Sequence, residues 1–359
     1  MPITPNKVLI FRPGSLGDTV VALPAFHLIA RAYPNAERRV LTHLPFGIGN
    51  KETPISAVLG DAGLVHGYVS YPPGSRATRL QLLWEIRRWC PDVLIHLMGI
   101  PCSFFQLLRH EFFFRLCGIK TIIGLPYKRQ DRTYFWLPDR GIFESEASRL
   151  VRNLAVLGEI DLEDPSNWDL KLTDREKAAA NSALQGWSGR SQFLACSIGT
   201  KMQVNEWGED RWIEWIQRMA AAFPKLGLVL IGSSDEFERC ERMAALWNGP
   251  SINLCGRLLL RESAAVLAEA CLFVGHNSGP MHLSAAVGTL CVIVDSGRHK
   301  PGYWFPQGRK HKIIYHTTEC FGCELEVCVQ QQKKCIRSIS ADEVFETASA
   351  LLFEARKDK

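Results

Sequence analysis

The chain has 359 residues, of which 47% are hydrophobic and 22% are charged, with 42 Lys and Arg against 37 Asp and Glu. Its length suits two domains of roughly 150–200 residues each, and its apolar fraction excludes a disordered or low-complexity protein. No apolar stretch approaches the ~20 residues of a membrane-spanning helix, and the first residues lack the basic and apolar regions of a signal peptide. We therefore expect a cytoplasmic protein.

Positive charge is concentrated in the first part of the chain. Residues 1–140 contain 17 Lys and Arg and 9 Asp and Glu, so the remainder is slightly acidic. This asymmetry favours an acidic partner such as a phosphate, a nucleic acid or an anionic membrane surface, although an ordinary solvated surface explains it equally well. The sequence has no aromatic RNA-binding signature and no helix-turn-helix pattern, which argues against nucleic acid.

Short apolar runs alternate with helical periodicity along most of the chain. In the first half, strands are predicted at 8–12, 39–42, 65–69, 93–97 and 121–125, and helices at 19–33, 76–89 and 103–117, with Pro24 starting or bending the first helix. A charged and small polar stretch at 162–189 is the predicted boundary between domains 1–170 and 185–340. In the second domain, strands are predicted at 193–198, 228–232, 251–254, 272–275 and 291–295, and helices at 207–223, 236–247, 261–269 and 279–287, before a C-terminal helix within 341–359. The pattern predicts two doubly wound α/β domains that bind ligands in a cleft at the carboxyl ends of their strands.

The first predicted strand is followed by the loop Pro13-Gly14-Ser15-Leu16-Gly17-Asp18. Its backbone N–H groups and the dipole of the following helix can face an anion. Its G-x-x-G spacing, with no acidic residue after the second strand, differs from the G-x-G-x-x-G dinucleotide fingerprint and disfavours an oxidoreductase. Asp18 either caps this helix or presents a carboxylate that takes a proton from a substrate hydroxyl, and the residues alone support both interpretations equally.

Polar residues also follow three predicted strands of the second domain. The turn 275–282 opens a helix with Asn277 or Ser278 as its cap, and the free N–H groups of such a turn attract a diphosphate. Thr200 and Lys201 could meet phosphate oxygens, whereas Glu236 could bind sugar or ribose hydroxyls or serve only the helix dipole. The candidate donor-binding residues are Thr200, Lys201, Glu236, Asn277, Ser278, Gly279, Pro280, Met281 and His282. The sequence contains no D-x-D motif, so a metal-bound diphosphate of that type is not supported.

The 12 cysteines fall into two groups. Eight are expected to remain reduced and to pack as small hydrophobic side chains: Cys90, Cys102, Cys117, Cys196, Cys240, Cys255, Cys271 and Cys291. The other four, Cys320, Cys323, Cys328 and Cys335, have the spacing C-x2-C-x4-C-x6-C, with which thiolates can hold zinc or iron tetrahedrally. Four thiolates leave no open position for a substrate, so such a metal would be structural.

Taken together, these strings resemble glycosyltransferase family nine, the ADP-heptose:lipopolysaccharide heptosyltransferases. The resemblance is carried by VLIFRPGSLGDTVVALPAFHLIARAYP, by EWGEDRWIEW, LVLIGSSDEFE and GHNSGPMHLSAAVG, and by CFGCELEVC…KKC followed by ISADEVFETASALL. It implies a GT-B architecture, in which an acceptor-binding and a nucleotide-sugar-binding Rossmann-like domain face a central cleft. It also implies inversion of the anomeric carbon, with ADP-heptose as the typical donor and no metal for catalysis.

By position, the resemblance makes Asp18 the general base and places Thr200 and Glu236 in the donor site. Two residues depart from the family pattern: Asn205 replaces a Lys, whose charge Lys201 could supply, and Asn277 replaces an Asp. A metal-independent transfer needs a carboxylate to accept the hydroxyl proton, and helix N-termini with a Lys to stabilise the leaving diphosphate. Autotransporter heptosyltransferases bind iron through such cysteines, whereas many relatives lack them.

We therefore expect an inverting glycosyltransferase that moves a sugar, by the resemblance a heptose from ADP-heptose, to an acceptor glycan of lipopolysaccharide core or a related glycoconjugate. The expected partners are the nucleotide-sugar donor, an acidic glycan or glycolipid acceptor (alternatively a protein), and the cytoplasmic face of the inner membrane as a peripheral contact, but no nucleic acid. Zinc or iron is expected only as a structural metal. Two other classes stay open: a GT-B-like nucleotide-sugar epimerase, and a non-catalytic metal-binding interaction protein, which the changes at Asn205 and Asn277 would suit.

Overall fold

The computed structural model describes residues 4–43, 54–71, 76–100, 102–185 and 192–357. The chain divides into two compact units, Met1–Lys171 and Leu172–Lys359. The end of the predicted boundary stretch, from 186 onwards, and the residues directly after the second predicted strand, 44–53, lie outside the described residues. Within the described part of the chain, no helix combines the length and the apolar character needed to cross a membrane.

Unit 1 is a doubly wound parallel sheet. Its strands are β1 (Lys7–Phe11), β2 (Glu37–His43), β3 (Gly67–Tyr71), β4 (Val93–His96) and β5 (Thr121–Ile123). Its helices are α1 (Leu16–Val21), α2 (Leu23–Ala32), α3 (Ile55–Leu59), α4 (Arg76–Trp89), α5 (Phe104–Leu116) and α6 (Glu146–Arg152), and a short hairpin of β6 (Trp136–Leu137) and β7 (Ile142–Phe143) is separate from the sheet. The strand order is β3-β2-β1-β4-β5, so the chain switches direction between β1 and β4. Ligands of α/β sheets bind at the carboxyl side of such a switch point.

Unit 2 repeats this plan around a second parallel sheet. Its strands are β8 (Phe193–Ser197), β9 (Gly227–Leu230), β10 (Ser251–Asn253), β11 (Leu272–His276), β12 (Cys291–Val294) and β13 (Lys312–Ile314). Its helices are α7 (Asp174–Ala183), α8 (Glu209–Ala222), α9 (Phe237–Ala244), α10 (Leu260–Glu269), α11 (Gly279–Ala286), α12 (Lys334–Arg337) and α13 (Ala341–Lys357). The order β10-β9-β8-β11-β12-β13 puts the switch point between β8 and β11.

The cores explain why these segments form buried strands. The last four residues of β1 and all four residues of β4 are buried. Except for His96, all of them are apolar or aromatic, which is typical of strands that are covered on both faces. The core of unit 2 is built on three fully buried tryptophans of α8 and the segment before it, Trp207, Trp212 and Trp215. Their rings meet edge to face at centroid distances of 4.8 and 5.7 Å, a favourable arrangement for aromatic pairs.

The predicted alternation of strands and helices is confirmed, with two informative differences. The helix predicted at 19–33 is two helices, α1 and α2, because the chain breaks at Ala22 and Pro24 occupies the first turn of α2. The stretch predicted as a domain boundary contains α7, which belongs to unit 2. A capping box of Thr173 with Glu176 starts α7, and Arg261 of α10 donates to Glu176 (Nη2–Oε2, 3.0 Å), so a charged segment forms a packed helix.

Candidate functional site

The loop between β1 and α1 carries the predicted base, Asp18. Ser15 is the N-cap of α1, and Oδ2 of Asp18 accepts hydrogen bonds from the backbone N and the Oγ of Ser15, both at 2.9 Å. Gly14 has a φ of +147°, and a Cβ built there would lie 2.5 Å from the Cβ of Asp18. Glycine is therefore needed for the carboxylate to fold back onto the loop. Asp18 caps α1, as one of the two predictions states, while 31% of its side chain stays exposed.

A buried arginine accompanies this carboxylate. Arg12 directly follows β1, its side chain is fully buried, and its Nη2 lies 3.7 Å from Oδ1 of Asp18. Its Nη1 donates to the carbonyl oxygen of Leu97, just after β4, at 2.7 Å, and its Nη2 donates to the backbone oxygen of Asp18. Burial lowers the pKa of Arg12, and the charge of Asp18 opposes that shift. Because β1 and β4 are neighbours, Asp18 and Arg12 lie at the switch point of unit 1.

A second buried polar cluster lies at the carboxyl end of β4. Arg149 and Glu146 form a fully buried ion pair (Nε–Oε2, 2.7 Å), and Nη2 of Arg149 also donates to the carbonyl oxygen of Met98 at 2.9 Å. His96 ends β4, and its Nε2 lies 3.1 Å from Nδ1 of His110. Burial lowers the pKa of His96 to about 3 and that of His110 to about 4, so both rings are neutral at pH 7. These contacts hold the chain after β4 in place beside Arg12.

In unit 2 the predicted donor-binding residues follow neighbouring strands. β8 pairs with β11, so Thr200 and Lys201 lie at the same end of the sheet as the turn 277–282. Ser278 is the N-cap of α11, but its side chain forms no capping hydrogen bond with any described residue. Its hydroxyl instead donates to the backbone oxygen of His276 at 3.4 Å. The first N–H groups of α11 can therefore bind an anion such as a diphosphate.

The other residues of this turn are placed differently. Pro280 occupies the first turn of α11, as predicted. Met281 is fully buried and His282 is 6% exposed, with its ring 6.3 Å from that of Trp304. The side chain of Met281 therefore belongs to the core, and Gly279, Pro280 and Met281 can contribute to a ligand site mainly through their backbone.

Asn205 links the turn after β11 to the loop after β12. Its Nδ2 donates to the backbone oxygen of Asn277 at 3.2 Å, and its Oδ1 accepts from Oγ of Ser296 at 2.6 Å. The side chain of Asn277 hydrogen-bonds to the buried carboxylate of Asp295. Burial raises the pKa of Asp295 to about 6, although the bonds from Asn277 and from the N–H groups of Ser296 and Gly297 favour the ionised form. Asn205 and Asn277 thus belong to one hydrogen-bond network, in which Asn205, Asp295 and Ser296 are buried and Asn277 is partly exposed.

His276 connects the two strand ends. Its ring is fully buried at the end of β11, its Nε2 accepts from the backbone N of Trp207 at 3.1 Å, and its Nδ1 lies 3.4 Å from the carbonyl oxygen of Gly199. Burial lowers the pKa of His276 to about 4. A neutral ring protonated on Nδ1 satisfies both contacts.

Glu236 lies against the loop after β8. Its Oε2 accepts from the backbone N of Ser233 at 3.0 Å and caps the turn that leads into α9. A Cβ built on Gly199 would lie 1.8 Å from Oε1, and one on Gly232 would lie 2.1 Å from Oε2. Glu236 therefore serves the helix start, as one prediction has it, and its position beside Gly199 also brings it next to Thr200.

The four cysteines of segment 320–335, called the cysteine segment below, are neighbours in the fold. The pKa of the Cys335 thiol is raised to about 11. Burial is the largest cause, and the charges of Cys320, Cys323 and Cys328 add to it. The backbone N of Lys333 donates to Sγ of Cys328 at 3.2 Å. Among the described residues, which include all four cysteines, no three His, Cys, Asp or Glu side chains are grouped so as to hold a metal ion. The four thiols fit zinc or iron in kind, but they are not grouped as ligands in this structure, so ligation would require their sulfurs to move together.

The cysteine segment is also attached to the candidate donor site. The backbone N of Cys328 donates to Oε1 of Gln203 at 3.0 Å, and that of Val204 donates to the carbonyl oxygen of Glu326 at 3.1 Å. On the other side, Arg298 donates from Nη2 to the carbonyl oxygen of Glu324 at 2.8 Å. The segment therefore holds the residues on either side of the Asn205–Ser296 hydrogen bond.

Known proteins resemble this chain along almost its whole length. Residues 106–334 match the model of glycosyltransferase family 9 (heptosyltransferase). The chain belongs to glycosyltransferase family 9. It is 26% identical over 354 residues to lipooligosaccharide heptosyltransferase 2 of Campylobacter jejuni, which covers 96% of this chain and 98% of the relative. A family 9 glycosyl transferase of Veillonella parvula has a TM-score of 0.74 at 15% identity, covering 99% of both chains. The Escherichia coli ADP-heptose lipopolysaccharide heptosyltransferase II has a TM-score of 0.66 at 18% identity, covering 98% of this chain and 99% of that one.

Membership of family 9 makes this protein a glycosyltransferase. The predicted family, enzyme class and fold, two Rossmann-like domains of the GT-B type, are confirmed. The match begins within α5 and ends within the cysteine segment, so it covers all of the candidate donor-binding residues.

The two departures from the family 9 pattern are neighbours in this glycosyltransferase. The resemblance assigns a Lys to the position of Asn205 and an Asp to that of Asn277, and the two asparagines are joined by a hydrogen bond. By that assignment, one change would remove a positive charge and the other a negative charge from the same network.

Arg12 and Asp295 were not predicted as residues of this family 9 site, and His276 was named only as part of the turn 275–282. Each directly ends or follows a buried apolar strand, which is unusual for a polar side chain and was the signal available. The structure shows what each of them contacts: Arg12 lies beside Asp18, His276 beside Gly199, and Asp295 beside Asn277. These pairings could not be read from the sequence.

Proposed function

We propose that this glycosyltransferase transfers heptose from ADP-heptose to a hydroxyl of a lipopolysaccharide or lipooligosaccharide core glycan, with inversion at the anomeric carbon. The observation that carries the proposal is the N-terminus of α11, which no side chain caps among the described residues and which lies at the same switch point as Thr200 and Lys201. The names of the related proteins, an ADP-heptose lipopolysaccharide heptosyltransferase and a lipooligosaccharide heptosyltransferase, support the choice of donor and acceptor.

The donor part of the reaction depends on unit 2. As the bond between the anomeric carbon and the diphosphate oxygen breaks, ADP leaves with the bonding electron pair and gains negative charge. The N–H groups at the start of α11, the hydroxyl of Thr200 and the ammonium of Lys201 would stabilise that charge without a divalent metal. Glu236, held beside Gly199, would accept hydrogen bonds from hydroxyls of the ribose or the sugar.

The acceptor part depends on Asp18. A sugar hydroxyl is a poor nucleophile at neutral pH, so its proton must leave as its oxygen bonds to the anomeric carbon. The carboxylate of Asp18 would accept that proton, while Ser15 and Arg12 keep it oriented. With 31% of its side chain exposed, the carboxylate of Asp18 is accessible to a substrate hydroxyl.

The basic first part of the chain suits an acceptor that carries phosphates or carboxylates, such as a core glycolipid. A glycolipid acceptor would bring the protein, in the cytoplasm, into peripheral contact with the inner membrane.

We propose in addition that the cysteine segment binds one structural zinc or iron through Cys320, Cys323, Cys328 and Cys335, which would stiffen its contacts with Gln203 and Arg298.

Calorimetry with ADP and ADP-heptose tests the donor site. We expect binding of both, and a loss of affinity of about 10–100-fold in Lys201→Ala, because a charge-assisted bond to phosphate is removed. Lys225→Ala, which removes an exposed Lys elsewhere in unit 2, is the matched control and should bind like the unmodified protein. Absence of binding to any nucleotide diphosphate would contradict the proposal. Isomerisation of ADP-heptose without an acceptor would instead indicate an epimerase.

A further inference from the structure

Helices α4 and α5 of unit 1 expose a concentrated set of large apolar side chains. Of the fifteen such exposed side chains among the described residues, seven lie on these two helices: Leu80, Trp84, Phe104, Phe105, Leu108, Phe112 and Leu116. Monomeric proteins seldom leave apolar residues clustered in this way, because each exposed side chain costs hydrophobic free energy. The concentration therefore points to a surface that something covers.

The stripe on α5 follows from its helical spacing. Phe105, Leu108 and Phe112 recur every three or four residues and are 80%, 42% and 66% exposed, whereas Leu107 and Phe114 face the core. On α4, Leu80 and Trp84 are one turn apart and are 58% and 66% exposed. We call Leu80, Trp84, Phe105, Leu108 and Phe112 together the α4–α5 face.

Basic side chains surround this face. On α4 and α5, and just after them, the exposed cations are Arg79, Arg87, Arg88, Arg109, Arg115 and Lys120. Two acids lie among them: Glu85 is exposed, and the half-buried Glu111 pairs with Arg115 at 3.2 Å. Arg87 joins the two helices, because its guanidinium lies 5.9 Å from the centroid of the Trp84 ring and donates to the carbonyl oxygen of Leu116 at 3.2 Å. Arg87 thus joins the exposed apolar side chains of α4 to the end of α5, and the two helices pack side by side.

We propose that the α4–α5 face binds the surface of an anionic lipid bilayer. Phe105, Phe112 and Leu108 would enter the boundary between headgroups and acyl chains, Trp84 would lie at the headgroup level that tryptophan prefers, and the arginines would neutralise lipid phosphates. A second copy of the chain fits less well, since a two-fold contact through this face would place arginines opposite arginines. The inference deepens the peripheral membrane contact proposed above, and binding to vesicles without donor or acceptor keeps its outcome separate from sugar transfer.

Cosedimentation of the full chain with phosphatidylglycerol-containing vesicles tests this surface. We expect binding to these vesicles, much weaker binding to phosphatidylcholine vesicles, and a loss of about tenfold or more in Phe105→Ser/Phe112→Ser. Val156→Ser/Leu259→Ser is the matched control, because Val156 and Leu259 are 77% and 70% exposed but lie off the face. All four side chains are exposed, so both variants should fold. Equal binding by the two double variants would overturn the proposal.

The preference for anionic lipid and the depth to which Trp84 enters the bilayer are tested with separate variants. Arg88→Glu/Arg109→Glu should abolish the preference for anionic vesicles, whereas Arg175→Glu/Lys177→Glu, on the exposed surface of α7, should not. Lipids brominated along the acyl chain should quench tryptophan fluorescence, and Trp84→Phe should remove most of that quenching. Failure of the protein to bind anionic vesicles, or self-association that Phe105→Ser/Phe112→Ser removes in the absence of vesicles, would show that lipid does not cover this face.

Discussion

The substitution Asp18→Asn separates the two functions that Asp18 can have. The amide oxygen can still accept the bonds from the N and Oγ of Ser15, because Asn caps a helix about as well as Asp. Arg12 loses its counter-charge at 3.7 Å but keeps its two backbone carbonyl acceptors. Breaking a buried ion pair costs about 3–5 kcal/mol, and since Asp18 is partly exposed we expect a smaller loss of about 1–3 kcal/mol in the free energy of unfolding.

The effect on catalysis should be much larger than the effect on capping. An amide cannot accept the hydroxyl proton, so kcat should fall by about 10²–10⁴-fold, while the affinity for ADP is unchanged because the proposed donor residues lie in unit 2. Turnover is measured as ADP release with donor and acceptor, stability by urea unfolding, and affinity by calorimetry. Asp131→Asn is the matched control, since Asp131 accepts from the backbone N of Lys128 at 3.3 Å in a similar capping position. Near-normal turnover of Asp18→Asn would refute the assignment and leave Asp18 as a cap only.

Three further predictions concern unit 2. Asn205→Lys and Asn277→Asp should each lower the free energy of unfolding when made alone, because a charge enters this network. The double variant should recover about 1–3 kcal/mol of the summed loss. Additive effects in a double-mutant cycle of urea unfolding would contradict this. Because burial raises the pKa of Asp295 from 3.8 to about 6, its ionised form costs stability above pH 6 and that cost disappears below about pH 4. Asp295→Asn should therefore stabilise the protein by about 1–3 kcal/mol at pH 7 and by much less at pH 4, and an equal gain at both pH values would disprove the assignment. For the proposed structural metal, elemental analysis should find zinc or iron in the unmodified protein, and either a chelator or Cys335→Ser should remove it and lower the Tm. Cys90→Ser should do neither. A metal-free protein with an unchanged Tm would reject the structural metal.

The sequence predicted the strands of both sheets because buried parallel strands read as short apolar runs between helices. The residues Leu9, Ile10, Leu94 and Ile95 illustrate this, since all are fully buried and lie within runs of consecutive apolar residues. The helix α7 was not predicted, because a charged helix is stabilised here by its capping box and its ion pair with Arg261 rather than by an apolar stripe. The edge strand β13 is only three residues long and too short for a pattern.

The site was predictable where it depends on the order of residues along the chain. Loops after β8 and β11 carry Thr200 and Ser278, and parallel strands place their carboxyl ends at the same end of a sheet. What could not be read from the sequence are bonds between distant residues, such as those of Arg12 with Leu97 and of Asn205 with Ser296. The bond from Asn205 to the backbone oxygen of Asn277 is another example, because nothing in the sequence shows that these two positions are neighbours.

Transfer of heptose to a glycolipid acceptor can be measured with the purified protein. The purified protein is incubated with ADP-heptose and lipooligosaccharide from a strain that lacks core heptose, and the glycolipid and the nucleotide are analysed by mass spectrometry. We expect the acceptor to gain one heptose for each ADP released, and this product to be reduced by about 10²–10⁴-fold in Asp18→Asn. Release of ADP without a heavier acceptor, or transfer that is unaffected by Asp18→Asn, would contradict this expectation.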